Sequence, residues 1–327
     1  MTSPKQPQAA SPPAERHPRP GNAGPTVAHG LSHTQAVLLM VAVTLMWSIA
    51  GVVTRQLEHA RSFEVTFWRS FFTVVSLLVI LPAWQGPGVF RAMHWRSRYF
   101  WLSGLCWSVM FTAFMVALTL TSVGNVLVTM SVGPLLTALL ARVFIGHRLP
   151  ARTWVAILVA GLGIGYMFGT QVSLGDSGGG SGVLAGSLVA LCVPIAAAVQ
   201  WTIVQRSQAH GEQIDLVPSV LVGAVISTLV TLPLAFPLAA SATDIAWLGL
   251  LGLVQLAIPC TLSVICARVL KAPEVSLLAL LEVIFGIGLA WAIANEAPGS
   301  TVLVGGALVI GALLVNELLG WRARQGN

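Results

Sequence analysis

The sequence predicts an all-α polytopic membrane protein of ten transmembrane helices, arranged as two inverted five-helix halves. Three observations carry this expectation. Of the 327 residues, 56% are hydrophobic and only 9% are charged, whereas a soluble domain carries roughly 25% charged residues. Apolar runs of about 20 residues, the length that crosses the hydrocarbon core, recur along the chain. Lysine and arginine fall on alternate connections between these runs. Such a composition excludes a soluble enzyme, a secreted disulfide scaffold and a disordered protein.

The ten runs lie at about 35–55, 65–84, 98–118, 124–144, 153–171, 183–205, 216–237, 245–267, 274–294 and 299–319. Each ends at proline, glycine, charge or a polar cluster. None alternates in polarity as a barrel strand would, so each is expected to be a helix that satisfies its own backbone groups. Placing the N-terminus in the cytoplasm puts 14 of the 17 basic residues on the cytoplasmic side. Only Arg55 and Arg61 fall on the other side, and Arg69 lies within the second run. Cytoplasmic loops are enriched in Lys and Arg, so both termini are expected in the cytoplasm.

Residues 1–34, rich in proline and polar groups and without a signal-peptide core, read as a disordered cytoplasmic tail. Five runs follow over 35–171, then a Gly/Ser-rich linker at 172–182, five more runs over 183–320, and a short cytoplasmic tail at 321–327. Five is an odd number, so the second half starts from the opposite side of the membrane. Two halves of one fold then form an inverted repeat, an architecture common in secondary transporters.

The net charge of +6 follows from this loop bias, and no basic face for nucleic acid is formed. The four cysteines, Cys106, Cys192, Cys260 and Cys266, all sit in apolar runs and read as small packing residues. His29 and His33 are spaced four apart, but in a disordered tail this spacing is a weak metal signal, and no metal or cofactor is expected. Neither Lys5 nor Lys271 follows a Gly-rich loop, so there is no P-loop for ATP.

The third to fifth runs read Thr112-Ala113-Phe114-Met115-Val116-Ala117-Leu118, Thr121-Ser122-Val123-Gly124-Asn125 and Pro134-Leu135-Leu136-Thr137-Ala138-Leu139-Leu140. Gly146-His147-Arg148-Leu149 and a run holding Gly161 and Gly163 follow. This pattern resembles the EamA repeat of the drug/metabolite transporter superfamily, with its Pro-x-x-x-Ala-Leu-Leu and Gly-Glu-Arg-Leu elements. Met46-Trp47-Ser48 and Phe67-Trp68-Arg69 are similar to elements of its first two helices, and Leu281-Glu282-Val283, Gly305 and Gly311 to the second repeat. His147 replaces the usual glutamate, and Val283 the usual proline. The resemblance covers roughly 35–320. It implies a multi-pass inner-membrane transporter of small organic metabolites, amino-acid-like or related, more often an exporter than an importer.

An ionisable group inside the membrane is a functional candidate, because a charge at the bilayer centre costs ~2.5–3.5 kcal/mol or more. Glu282, deep in the ninth run, is either a proton carrier or counter-charge for substrate, or a group that only joins helices. Arg69 either snorkels to the interface beside Glu64 or Glu58 or binds a substrate carboxylate. Helix breakers give the second signal: Gly133-Pro134 in the fourth run, Pro194 in the sixth, Pro259 in the eighth, and Gly286 and Gly288 just after Glu282. Gly133, Pro134, Gly286 and Gly288 are the candidate hinges. Polar and aromatic residues at similar depth outline a substrate pocket: Trp47, Ser48, Trp107, Asn125, Ser131, Gln200, Trp201, Gln255 and Glu282.

The expected function is secondary transport by alternating access, with a small-molecule substrate, the lipid bilayer as surroundings and no enzymatic step. Two alternatives stay open. A nucleotide-sugar or phosphate exchanger of the same superfamily would need more cavity cations than Arg69. A polytopic enzyme acting on lipid would need a cluster of acidic, His or Ser/Lys groups, and the sequence shows none.

Overall fold

The computed structural model describes residues 31–60, 62–145, 150–152, 154–156, 158–159, 161–163, 166, 180–209, 214–294, 297 and 299–325. Most of the expected tail and of the expected linker falls outside the described residues. Described secondary structure is helical throughout.

The first half holds α1 (His33–Thr54), α2 (Ser62–Gln85), a short α3 (Val89–Ala92), α4 (Arg98–Leu120), α5 (Val123–Met130) and α6 (Gly133–Ile145). Described positions between Trp154 and Gly163 are also helical. The second half holds α7 (Gly180–Ala209), α8 (Ser219–Ala235), α9 (Ala242–Leu250), α10 (Ile258–Val269), α11 (Ala272–Ala279), α12 (Leu281–Ala294) and α13 (Ser300–Gln325). A π-helical stretch, Leu251–Ala257, joins α9 to α10.

Among the described residues, seven helices or stacked helix pairs are long and apolar enough to cross a membrane. Apolar helices at the expected fifth, seventh and tenth spans are shorter: Trp154–Gly163, Ser219–Ala235 and Ser300–Ala312.

Caps set several helix starts. Ser32 and Gln35 form a reciprocal capping box on α1, Ser122 caps α5, and Ser241 with Asp244 forms a second box on α9. Each cap satisfies N–H groups that a helix start leaves without partners.

The order of packing repeats with the halves exchanged. α1 packs on α12 and α10, while α7 packs on α5, α6 and α4. α2 packs on the π-helical stretch, while α4 packs on α8. α2 on α8 is its own counterpart, and α6 on α11 is matched by α12 on α5. Direction inverts as well. Arg55, just past the end of α1, donates to Thr121 O at 3.2 Å. At that same corner Gly186, near the start of α7, approaches the Thr121 side chain closely. Thus α1 ends where α7 begins, and the leading helices of the two halves run in opposite directions.

Backbone contact is closest where the halves meet. A Cβ on Gly223 would stand 2.3 Å from Trp107 Cβ and 2.8 Å from Gly104 O. One on Gly252 would stand 2.8 Å from Arg69 O. Small residues of this kind let membrane helices approach at their backbones.

Polar networks fasten both ends of the bundle. At one, the Asp244 carboxylate accepts N–H bonds from Glu58, His59 and Ala60 at 3.0–3.2 Å, and Glu64 accepts from Ala239 and Ala240. At the other, Asp215 pairs with Arg268 and accepts from Gln85 Nε2 at 2.9 Å.

Candidate functional site

Two helix breaks face each other near the centre. α5 ends at Met130 and α6 starts at Gly133, because Pro134 has no N–H to continue the ladder. α11 ends at Ala279 and α12 starts at Leu281. The fourth and ninth spans therefore share one plan, an eight-residue segment, a break, then 13 or 14 residues. Thr137 Oγ1 lies 3.1 Å from Ser276 Oγ and 2.9 Å from Gly133 O, which joins the two broken spans.

The second break differs from the expectation in place. It falls at Leu280, ahead of Glu282, and α12 runs unbroken through Gly286 and Gly288. Gly286 serves close packing instead, since a Cβ there would stand 2.5 Å from Leu127 Cδ1. Space beside Gly288 is open. Pro194 also differs, because α7 continues through it from Gly180 to Ala209; membrane helices tolerate proline where neighbours support the freed backbone. Pro259 does disturb its span. With no N–H on Pro259, the Gln255 carbonyl loses its helical donor, and the turns before it widen into the π-helical stretch. Such π segments recur at functional sites.

Between the breaks lies a cavity with about 800 Å³ of space between its walls, the open mouth included. Trp47, Arg69, Trp107, Gly133, Pro134, Trp201, Gln255 and Glu282 line it, eight of the residues named from sequence. Arg69 is wholly buried: Nη1 donates to Gln255 Oε1 at 3.0 Å and Nη2 to Phe111 O at 2.6 Å. Its Cζ stands 5.9 Å from the Phe114 ring centroid, within cation–π range. Arg69 thus points into the bundle and does not snorkel. Glu58 is largely exposed, Glu64 is already engaged by the backbone at Ala239 and Ala240, and no carboxylate lies within ion-pair distance of Arg69 among the described residues.

Glu282 is also buried, in the first turn of α12, and has no hydrogen-bond partner among the described residues. Two donors on the cavity are unmatched as well: Arg69 Nε and the Trp107 indole N–H. Trp107 meets Trp201 edge to face, with centroids 6.0 Å apart.

Six named residues stay off this cavity wall. Ser48 donates to Leu45 O and Ser131 to Val128 O, each turned back on its own helix. Asn125 Nδ2 lies 3.0 Å from Thr121 Oγ1 and from Ser187 Oγ, pinning α5 to α7. Gln200 is buried with both amide atoms unmatched. Gly286 and Gly288 are the remaining two.

Sequence reading missed Met110, Phe111, Phe114, Met130, Ser276 and Cys260 on the wall. The first three recur with Trp107 at helical spacing, so one face of the third span carries them all. Cys260, expected from sequence to be a packing residue, also faces this cavity.

A bundle whose halves invert, with broken helices lining a midplane cavity, has the form of a secondary transporter. Comparison with known families agrees: residues 34–169 and 184–317 each match the EamA-like transporter family. The chain belongs to that family. It is therefore a multi-pass membrane transporter of the drug/metabolite transporter superfamily, built from two EamA repeats. No curated protein matches the chain. A solved structure, described only as a crystal structure of a protein, is similar in fold, with TM-score 0.63 and 20% identity. That likeness covers 89% of this chain and 99% of the other.

Proposed function

We propose that this EamA-family protein exports small amino-acid-like metabolites with an apolar side chain, by alternating access and without chemical change to the substrate. In this proposal ten spans cross the inner membrane, both termini are cytoplasmic, and the domain limits are those expected from sequence.

The observation that carries it is the pairing of one buried guanidinium and one unpartnered carboxyl group on a single apolar cavity. A free zwitterion fits both. Its carboxylate meets the remaining donors of Arg69 and the Trp107 indole, and its ammonium meets Glu282. The side chain lies among Trp47, Phe111, Phe114 and Trp201. Charge-assisted bonds of this kind are about twice as strong as neutral ones, so each offsets part of the cost of dehydrating the substrate. The breaks at Gly133-Pro134 and Leu280 are where the two halves change tilt. Glu282 also carries the coupling proton in this mechanism, holding it while the ammonium is absent.

A phosphate exchanger fits less well. Among the described residues Arg69 is the single Arg or Lys on the cavity wall, too little charge for a phosphate dianion.

The test is flux in proteoliposomes loaded with a radiolabelled apolar amino acid, its decarboxylated amine or its deaminated acid. The amino acid should exit unchanged and the two singly charged analogues at no more than a tenth of its rate. Equal flux of all three would refute zwitterion recognition, and recovery of an altered product would reveal an enzyme.

A further inference from the structure

Arginine is almost never fully buried without an anionic partner. Arg69 is wholly buried on the cavity wall, yet its acceptors are the side-chain oxygen of Gln255 and the backbone oxygen of Phe111, both neutral. Elsewhere this protein does close an arginine with a carboxylate, because Asp215 pairs with Arg268 at one end of the bundle. At the cavity an amide stands in that place.

The orientation of that amide follows from its partner. A guanidinium only donates, so Gln255 turns its oxygen to Arg69 Nη1, 3.0 Å away. Backbone packing holds the two groups in register. Thr73 Oγ1 donates to Arg69 O at 2.8 Å and stands 3.2 Å from Gly252 O. A Cβ on Gly252 would stand 2.8 Å from Arg69 O. α2 is therefore clamped to the π-helical stretch within one turn of Gln255.

Glutamate has the shape of glutamine, with oxygen in place of the NH2 group, and would accept the same bond in the same space. It would differ in charge. The cation of Arg69 would then be closed into an ion pair within the wall, and a substrate carboxylate would meet a site already neutral. We infer that Gln255 is a specificity-determining residue of the central cavity. As an amide it fixes the position of Arg69 without cancelling its charge, and so selects substrates that carry a carboxylate. The inference rests on the reading of Arg69 as the carboxylate partner and adds the residue that keeps it available.

Proteoliposome flux of an apolar amino acid, its decarboxylated amine and its deaminated acid, measured for wild type, Gln255→Glu and Gln255→Leu, tests this. The readout is a ratio within one protein, so differences in folded fraction cancel. In Gln255→Glu the ratio of amine to acid flux should rise by roughly tenfold or more over wild type, the worth of one hydrogen bond to a charged group. Gln255→Leu removes the acceptor but leaves the charge, so its ratio should stay near that of wild type. Where a variant carries too little to measure, the shift of unfolding temperature that each compound produces in detergent gives the same comparison. A wild-type ratio in Gln255→Glu would overturn the inference. So would an equal rise in Gln255→Leu, which would leave Gln255 as a residue that only positions Arg69. Equal flux of all three compounds by wild type would instead refute zwitterion recognition, and the change of ratio in Gln255→Glu would still decide what Gln255 does.

Discussion

Arg69 donates to Gln255 at 3.0 Å across 186 positions of sequence, so a cation from the first half is held by an amide from the second. The acceptor stands in the π-helical stretch that Pro259 induces. Gln255→Leu would leave a buried guanidinium with one acceptor fewer. A hydrogen bond to a charged group contributes about 1.5–3 kcal/mol, so thermal unfolding in detergent should shift to lower temperature by several degrees. Gln255→Glu keeps an acceptor and should stay near wild type in the same assay. Equal unfolding temperatures for Gln255→Leu and wild type would show that the bond contributes nothing to stability.

Close packing between the halves gives a second expectation. Gly223→Ala places a methyl group 2.3 Å from Trp107 Cβ, a contact that cannot form without moving α8 from α4. Overpacking costs about 1–3 kcal/mol, and here it also displaces a wall residue of the cavity. Gly311→Ala meets open space and should be silent. Measured by unfolding temperature and by flux, Gly223→Ala should fall in both while Gly311→Ala falls in neither.

Orientation is tested by thiol labelling. Ala92 and Ala297 are exposed at opposite ends of the bundle. The Ala92 end carries Arg91, Arg98, Arg142, Arg206 and Arg268, which marks it as cytoplasmic. In intact cells a membrane-impermeant maleimide should therefore label Ala297→Cys and spare Ala92→Cys. Both should react after permeabilisation. The reverse pattern would invert the proposed topology.

How much of this was legible in the sequence depended on whether the cause was local. Membrane class and inverted halves follow from composition, run length and the bias of Arg and Lys, all of which sum over the whole chain. The break at Gly133-Pro134 is written in its own residues. Its counterpart at Leu280 is not, because Leu280 carries no breaker and its position follows from symmetry with the fourth span. Gly286 and Gly288 carry the breaker signal in this span instead, yet the first packs against Leu127. Arg69 was visible as a buried charge, but its acceptors were not. One is a backbone carbonyl 42 positions away and the other an amide 186 away, and only tertiary packing brings them to it. Of the aromatic face Trp107, Phe111 and Phe114, sequence reading singled out Trp107 alone, although all three recur at helical spacing.

Glu282 gives the sharpest test of the proposed mechanism. It stands buried, without a hydrogen-bond partner among the described residues, just after the break at Leu280 and on the same cavity as Arg69. Glu282→Gln keeps the shape of the side chain and removes its charge and its exchangeable proton. As proton carrier and ammonium partner, the wild type should accumulate substrate in proportion to an imposed pH gradient. The variant should lose gradient-driven accumulation entirely while still exchanging labelled for unlabelled substrate, and its affinity should no longer vary with pH. The substrate's ammonium loses a charged partner, so affinity should also fall by roughly tenfold or more, from about 1.5–3 kcal/mol for a hydrogen bond to a charged group. Pro134→Ala provides the contrast: it restores a backbone donor at the other break and should slow flux while leaving affinity and its pH dependence intact. Flux and binding against pH, measured for all three proteins at matched expression, separate these outcomes. Superimposable curves for wild type and Glu282→Gln would reduce Glu282 to a residue that only joins helices.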